Sequence, residues 1–225
     1  MRKLLALIVV GVSTLFAAPA MAADMPYYPD VEVPDVDYGL EGGFYLRGSL
    51  AGNVSWARDF DIDCCTPGPY DFEKAGWGYS FGAGIGYEFG DGLRADVTVD
   101  YLHNAGLSAT NPPVNYTLRA GVALANAYYD YGLGDGFGAY VGAGLGMAYY
   151  EISDNAGSPD PTGKGVTGVG AVMAGVSYDL GSAVADLGYR GLYMPVLTNS
   201  NVPDPIFVHD AFIHELRGTV RYRFN

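Results

Sequence analysis

Beyond residue 16 the chain has no apolar run approaching the roughly twenty residues of a membrane-spanning helix, so only strands could carry the mature part into a bilayer. Basic residues are scarce: 12 Lys and Arg stand against 25 Asp and Glu, for a formal net charge of −13. So acidic a chain is a poor partner for nucleic acid. Cysteine is limited to the adjacent Cys64 and Cys65, and histidine to 3 residues.

What is present begins with a secretion signal. Arg2 and Lys3 precede the apolar run Leu4 to Phe16, and Ala20, Met21 and Ala22 form an A-x-A cleavage site, which is the layout of a bacterial export signal over residues 1–22. Its removal takes two positive charges and no acid, leaving the mature chain at −15. Residues 23–42 carry Pro26, Pro29 and Pro34 among Asp30, Glu32, Asp35, Asp37 and Glu41. Such a segment buries little and reads as an acidic, proline-rich periplasmic tether. Residues 43–225 have the length of one β domain.

That domain alternates. At the C-terminus Phe212, Leu216, Val220, Tyr222 and Phe224 interleave with Glu215, Arg217, Thr219, Arg221 and Arg223. The same period of two predicts eight strands. The first runs from Phe44 to Trp56, the second from Trp77 to Phe89, the third from Leu93 to Tyr101 and the fourth from about Asn115 to Tyr128. The fifth covers about Gly138 to Tyr150, the sixth about Val166 to Leu180, the seventh Ala185 to Tyr193, and the eighth is the C-terminal one. Connections at Ala57 to Gly76, Leu102 to Val114, Glu151 to Gly165 and Met194 to Ile206 are long, and those between them are Gly-Asp-Gly or Gly-Ser turns. Long loops outside and short turns in the periplasm are the habit of outer-membrane barrels. The expected fold is all-β: an eight-stranded antiparallel up-and-down transmembrane barrel with both termini periplasmic.

Energetics decide which face meets lipid. A lipid-facing arginine costs roughly 2–4 kcal/mol near the bilayer midplane, so turning Arg47, Arg94, Arg119, Arg190, Arg217, Arg221 and Arg223 outward would cost up to about 14–28 kcal/mol. They are therefore expected in a lumen with Glu88, Asp96, Asp100, Asp179, Asp186 and Glu215. On the fourth strand this sorting sends Tyr116, Leu118, Val122 and Leu124 outward, opposite Arg119. His214 falls on the lipid face without an evident reason, and Asp130 takes outward parity at the periplasmic rim.

Four smaller features have plain readings. Cys64 and Cys65 could form a vicinal disulfide, strained because adjacent Cα atoms lie about 3.8 Å apart, or pair between molecules, or stay as thiols. Asp59, Asp61 and Asp63 resemble the start of a calcium loop, but Cys64 and Tyr70 occupy positions that need Gly and Glu. No metal site is expected. Gly82-x-Gly84-x-Gly86 lies inside a strand with no helix after it, which makes it lumen packing rather than a dinucleotide loop. His214 and Glu215 are the one pair that gestures toward catalysis, yet neighbours on a strand point to opposite faces.

The chain resembles a known group: the small outer-membrane β-barrel proteins of alphaproteobacteria, related to opacity-type surface antigens and more distantly to OmpA- and OmpX-type eight-stranded barrels. The likeness rests on the acidic start followed by Gly43 to Gly48, on Leu93 to Tyr101, on Ala125 to Asp130, and on His214 to Arg217 with Arg221 to Phe224. It implies abundant surface proteins that support envelope integrity, some of them antigens or adhesins. It also implies a C-terminal assembly signal, here Tyr222 and Phe224, read by the barrel-assembly machinery; Asn225 after Phe224 departs from the usual aromatic end.

The expected function is structural: a surface-exposed outer-membrane barrel, bathed in outer-membrane lipid and lipopolysaccharide, with no catalysis and no cofactor. Eight strands enclose an interior about wide enough for side chains to fill, so a plugged lumen is favoured over the alternative of a narrow channel for ions or very small solutes. A second alternative is adhesion or antigen display through the long loops, whose Tyr70 and Trp77 serve equally as an interfacial girdle.

Overall fold

The computed structural model describes residues 42–57, 59–62, 70–71, 75–110, 113–154, 162–198 and 206–224. The predicted signal, the tether up to residue 41, Cys64, Cys65 and Asn225 lie outside the described residues.

The strands are β1 (Gly43–Trp56), β2 (Asp59–Ile62), β3 (Tyr70–Asp71), β4 (Gly76–Gly90), β5 (Leu93–Thr110), β6 (Pro113–Gly134), β7 (Phe137–Asp154), β8 (Thr162–Asp179), β9 (Ala183–Thr198) and β10 (Ile206–Arg223). Eight of them, β1 and β4 to β10, run as an antiparallel meander in sequence order. The cylinder closes where β1 pairs with β10 from Tyr45↔Arg223 to Trp56↔Phe212. Closure leaves no unpaired backbone edge to face hydrocarbon, which is the condition for a sheet to cross a membrane. Beyond Trp56 the short β2 takes over along β10, from Ile206↔Ile62 to His209↔Asp59, and β3 pairs with β2.

Three tight turns define one end. Asp91 and Gly92 take φ of 50° and 79°, and Asp135 and Gly136 take 53° and 78°. Left-handed backbone of this kind favours Asp and Gly in two-residue hairpin turns. The first and last described barrel residues meet at this end, where the Phe224 amide donates to the Phe44 carbonyl at 3.0 Å. This is the periplasmic end.

The opposite end extends further than the alternation suggested. Leu102 to Val114 is no long loop: β5 continues to Thr110, β6 starts at Pro113, and the two pair as Thr110↔Pro113. The strands also run through Glu151 to Asp154, Thr162 to Gly165 and Met194 to Thr198. The physical reason lies on the outer surface. Past the hydrocarbon the outward positions need not be apolar, so the signal that marks a membrane strand fades while the hydrogen-bonded ladder persists.

Outside, aromatic pairs stack at the periplasmic rim: Phe44 on Tyr87, Tyr129 on Tyr131, Phe137 on Tyr178 and Tyr222 on Phe224, with centroids 4.6–5.3 Å apart. Between the rims the outward face carries Leu46, Leu50, Ile85, Val97, Val99, Leu145, Val172, Leu187, Leu216 and Val220, all exposed to the bilayer. A face this apolar suits acyl chains and not water.

Candidate functional site

The lumen is the one place where polar chemistry concentrates, and it is built in tiers. At the periplasmic mouth Arg221 forms a fork on Asp186, with Nε–Oδ2 at 2.9 Å and Nη2–Oδ1 at 3.0 Å, and reaches Glu88 at 2.9 Å. Arg223 bridges Glu88 at 2.9 Å and Asp179 at 2.5 Å. These groups edge a vestibule of about 560 Å³, rimmed also by Gly90, Gly134 and Asp130.

The next tier is centred on Asp96. Its carboxylate accepts from Arg47 at 2.7 Å, from the Tyr45 hydroxyl at 2.9 Å and from the Asn126 amide at 2.7 Å. Arg94 lies face-on over the Tyr128 ring, 3.8 Å from its centroid, and pairs with Asp130 through Nε at 2.6 Å.

Above this, Arg190 and Arg217 alternate with Asp100 and Glu215 in a closed four-membered ring. Arg190 contacts Asp100 at 2.8 Å and Glu215 at 2.6 Å, and Arg217 contacts Asp100 at 2.7 Å and Glu215 at 3.0 Å. Ser80 donates to Glu215 at 2.6 Å, and Ser49 accepts from Arg217 at 2.5 Å. All four ring members are buried. Two cations and two anions at this spacing neutralise one another, which is what makes charge tolerable away from water.

Glycine supplies the space. A Cβ at Gly82 would collide with the Asp100 carboxylate, and one at Gly86 with the Tyr45 ring. The glycines that face inward on β4 thus make room for side chains reaching across from β1 and β5.

The extracellular half of the lumen is different in kind. Leu102, Tyr116, Leu118, Val122, Leu124, Ile152, Leu192, Met194, Leu197 and Ile213 form a buried apolar core beneath the outer mouth. On β1 and β5 a short polar chain borders it: Ser55 donates to Asn104 at 2.5 Å and Asn104 to Asn53 at 2.7 Å. Two small voids lie inside, of about 20 Å³ among Tyr116, Leu118, Ile152 and Leu197, and of about 10 Å³ beside Arg47, Arg94, Arg190 and Arg217. Spaces of that size hold a single water at most.

Of the side chains predicted for the lumen, Arg47, Glu88, Arg94, Asp96, Asp100, Asp179, Asp186, Arg190, Glu215, Arg217, Arg221 and Arg223 make the contacts just described. Arg119 is the exception, and a correction. It faces outward, because on β6 the inward positions are Tyr116, Leu118, Ala120, Val122, Leu124, Asn126 and Tyr128. The whole strand is turned over relative to expectation, so Asp130 is corrected with it: it points into the mouth and pairs with Arg94. The sorting failed because this stretch of lumen is itself apolar. Alternation there sets large apolar residues inside against Gly121, Ala123, Ala125 and Ala127 outside.

The outward His214 has a partner that spacing did not reveal. Its Nδ1 lies 2.6 Å from the Tyr189 hydroxyl across the β9–β10 ladder, and the rings sit 5.9 Å apart. A polar group in hydrocarbon that is hydrogen-bonded avoids the full cost of desolvation. Tyr222 and Phe224 stack at the periplasmic end of the outer face, with centroids 5.3 Å apart.

A closed antiparallel cylinder with an apolar exterior and an ion-paired interior is a transmembrane β-barrel of the outer membrane. Residues 8–224 match the outer membrane protein beta-barrel domain, and the chain belongs to that family. An uncharacterized protein of Brucella melitensis is 31% identical over 230 residues, covering 84% of this chain and 80% of the relative. A Brucella abortus counterpart is 32% identical with the same coverage. Among solved structures the chain is similar to Neisserial surface protein A, with a TM-score of 0.55, 23% identity, and coverage of 81% of this chain and 97% of that one. OprG of Pseudomonas aeruginosa matches at a TM-score of 0.48 and 15% identity, over 82% and 97% of the respective chains. The likeness to Neisserial surface protein A is one of fold.

Proposed function

We propose that this outer-membrane barrel is a structural, surface-exposed component of the envelope, with a lumen closed to solutes and no catalytic chemistry of its own. The observation that carries the reading is the filled interior. A polar plug at the periplasmic side and an apolar plug at the outer side fill it, and the voids among Tyr116 and Leu118 and beside Arg190 and Arg217 hold only about 20 Å³ and about 10 Å³. A conducting path would need a continuous column of water, and each tier of crossing ion pairs interrupts one.

Residues 1–22 are proposed as the export signal, residues 23–42 as the periplasmic tether, and Tyr222 with Phe224 as the signal for the barrel-assembly machinery. The outward placement of both aromatics at the periplasmic end of β10 supports the last assignment.

Recording from refolded protein in a planar bilayer tests the central claim. A silent membrane in concentrated potassium chloride is expected, and steady unitary conductance from the wild type would overturn it. Gel migration of the same sample with and without boiling shows that the barrel has folded, so that the silence reports a plug and not a failure to fold.

A further inference from the structure

Across β4 to β8 the described outer surface carries a band of charge, and its place on the strands is fixed by the ladder. Tyr79 pairs with His103, His103 with Arg119, Arg119 with Glu151, and Glu151 with Lys164, so these five outward residues form one continuous row across β4 to β8. The next outward row toward the periplasm is Phe81, Tyr101, Gly121, Tyr149 and Val166. Aromatic residues of that kind mark the boundary of the hydrocarbon.

Depth agrees. From Tyr131 at the periplasmic rim to Gly121, β6 rises about 25 Å along the membrane normal at about 3.3 Å per residue and a tilt near 40°. That is the height of the apolar band of an outer-membrane barrel. On β6 the charged row is therefore one step above the acyl chains, with Arg119 at the level of the outer-leaflet headgroups.

Its charge is unusual for this chain. Arg47, Arg94, Arg190, Arg217, Arg221 and Arg223 turn inward, and the two remaining described basic side chains, Arg119 and Lys164, both stand in this row. Lys164 holds Glu151 at 3.3 Å while staying exposed. Arg119 is exposed and has no ion-pair partner among the described residues, although Glu151 stands opposite it. A guanidinium at headgroup depth with its donors free is matched in geometry to a phosphate, which accepts two parallel hydrogen bonds.

Resting on the surface-barrel reading above, we infer that Arg119, with His103 and Lys164 to either side, holds the phosphate of a phosphorylated outer-leaflet lipid, a headgroup of the kind lipopolysaccharide carries. Arg119 supplies the fork. Lys164, two strands and about 10 Å away, reaches the same headgroup or a second phosphate on it, while Glu151 is occupied by Lys164 and repels the anion less than a free carboxylate would. The apolar exterior of a net acidic chain then meets an anionic leaflet through the stretch of its wall that holds both outward basic residues among those described.

The test uses full-length mature barrel refolded into phosphatidylcholine nanodiscs, with EDTA present so that no divalent ion bridges through Glu151. The discs contain bis-phosphorylated lipid A, or its dephosphorylated counterpart, or neither with inorganic phosphate in the buffer. Lipid that leaves the disc bound to the barrel is counted by native mass spectrometry. The wild type is expected to retain the phosphorylated lipid selectively, and Arg119→Gln with Lys164→Gln to lower that retention about tenfold. Arg119→Lys, which keeps the charge and loses the fork, is expected to retain an intermediate amount. Equal retention of the two lipids, or unchanged retention by the double variant, overturns the inference. So does displacement of the lipid by millimolar inorganic phosphate, which would mark a site for free anion. Gel migration with and without boiling, run on the same samples, shows whether each variant is still a barrel, and silent recordings show whether it is still closed. Loss of selectivity with both preserved would remove the headgroup site and leave the structural reading standing.

Discussion

At the scale of the residue, the ring of Arg190, Asp100, Arg217 and Glu215 works only when complete. Each carboxylate contacts both guanidinium groups, so removing one arginine leaves two buried acids sharing a single cation. Arg217→Met is expected to destabilise the barrel by about 3–5 kcal/mol, the usual cost of stranding a buried charge. Asp100→Asn in the same chain should recover part of that, because it takes away one of the stranded acids; the two effects fall short of their sum. Urea titration of the barrel refolded into lipid vesicles, followed by the fluorescence of Trp56 and Trp77, measures both, and strict additivity would mean that the ring is not a unit. On the lipid side, Tyr189→Phe removes the hydroxyl that satisfies His214 and should cost about 1 kcal/mol in the same titration. Adding His214→Leu leaves neither polar group in the hydrocarbon and is expected to bring the midpoint back near that of the wild type. A further loss would show that the pair is not what accommodates the histidine.

At the scale of the element, β6 shows what alternation conveys and where it misleads. Alternation sorts eight strands by the rule that arginine faces inward and bulk faces lipid, and seven of them, β1, β4, β5, β7, β8, β9 and β10, obey it. On β6 both halves of the rule pointed the wrong way. Leu118, Val122 and Leu124 are large because they fill the lumen, and Arg119 faces outward because it lies above the hydrocarbon, where the cost falls to about 0–1 kcal/mol. The correct signal was in the sequence, since Asn126 shares the parity of Leu118 and sits deeper in the membrane than Arg119. Weighting each polar residue by its depth would have reversed the strand. What spacing could not supply is the partition of the lumen into a charged half and an apolar half, because that arises from contacts between residues far apart in the chain, such as Arg190 with Asp100. Spin labels check the orientation directly. Labels at Ala123 and Ala125 are expected to be accessible to oxygen dissolved in the bilayer, and those at Val122 and Leu124 to be immobilised and protected. The reverse pattern would restore the discarded assignment.

At the scale of the whole molecule, everything depends on the seam between the first and last barrel strands. Apart from the short β2 that continues this seam along β10, the other strand pairs are local hairpins or meander neighbours that a partly formed sheet could also contain, whereas β1 with β10 joins segments some 170 residues apart, Leu50 facing Gly218 and Arg47 facing Arg221. This pairing was legible only indirectly, as an even number of strands that must not leave an edge in lipid. A cross-link across the seam tests it. Leu50 and Gly218 are direct partners in an antiparallel ladder, where Cα atoms lie about 4.5–5.5 Å apart, within the range that a disulfide spans. A Cβ added at Gly218 meets open space on the lipid face. In a chain carrying Cys64→Ser and Cys65→Ser, the pair Leu50→Cys and Gly218→Cys is therefore expected to oxidise nearly completely once the barrel has folded. The boiled product should run as a looped polypeptide whose altered mobility disappears on reduction. Shifting one partner to Arg217, whose side chain is buried in the lumen, points the two thiols to opposite faces, so Leu50→Cys with Arg217→Cys should stay reduced. Equal oxidation of both pairs would mean that the strands are not held in this register, and with the register would go the ion-paired lumen, since Arg217 reaches Asp100 and Glu215 only from its place on a closed wall.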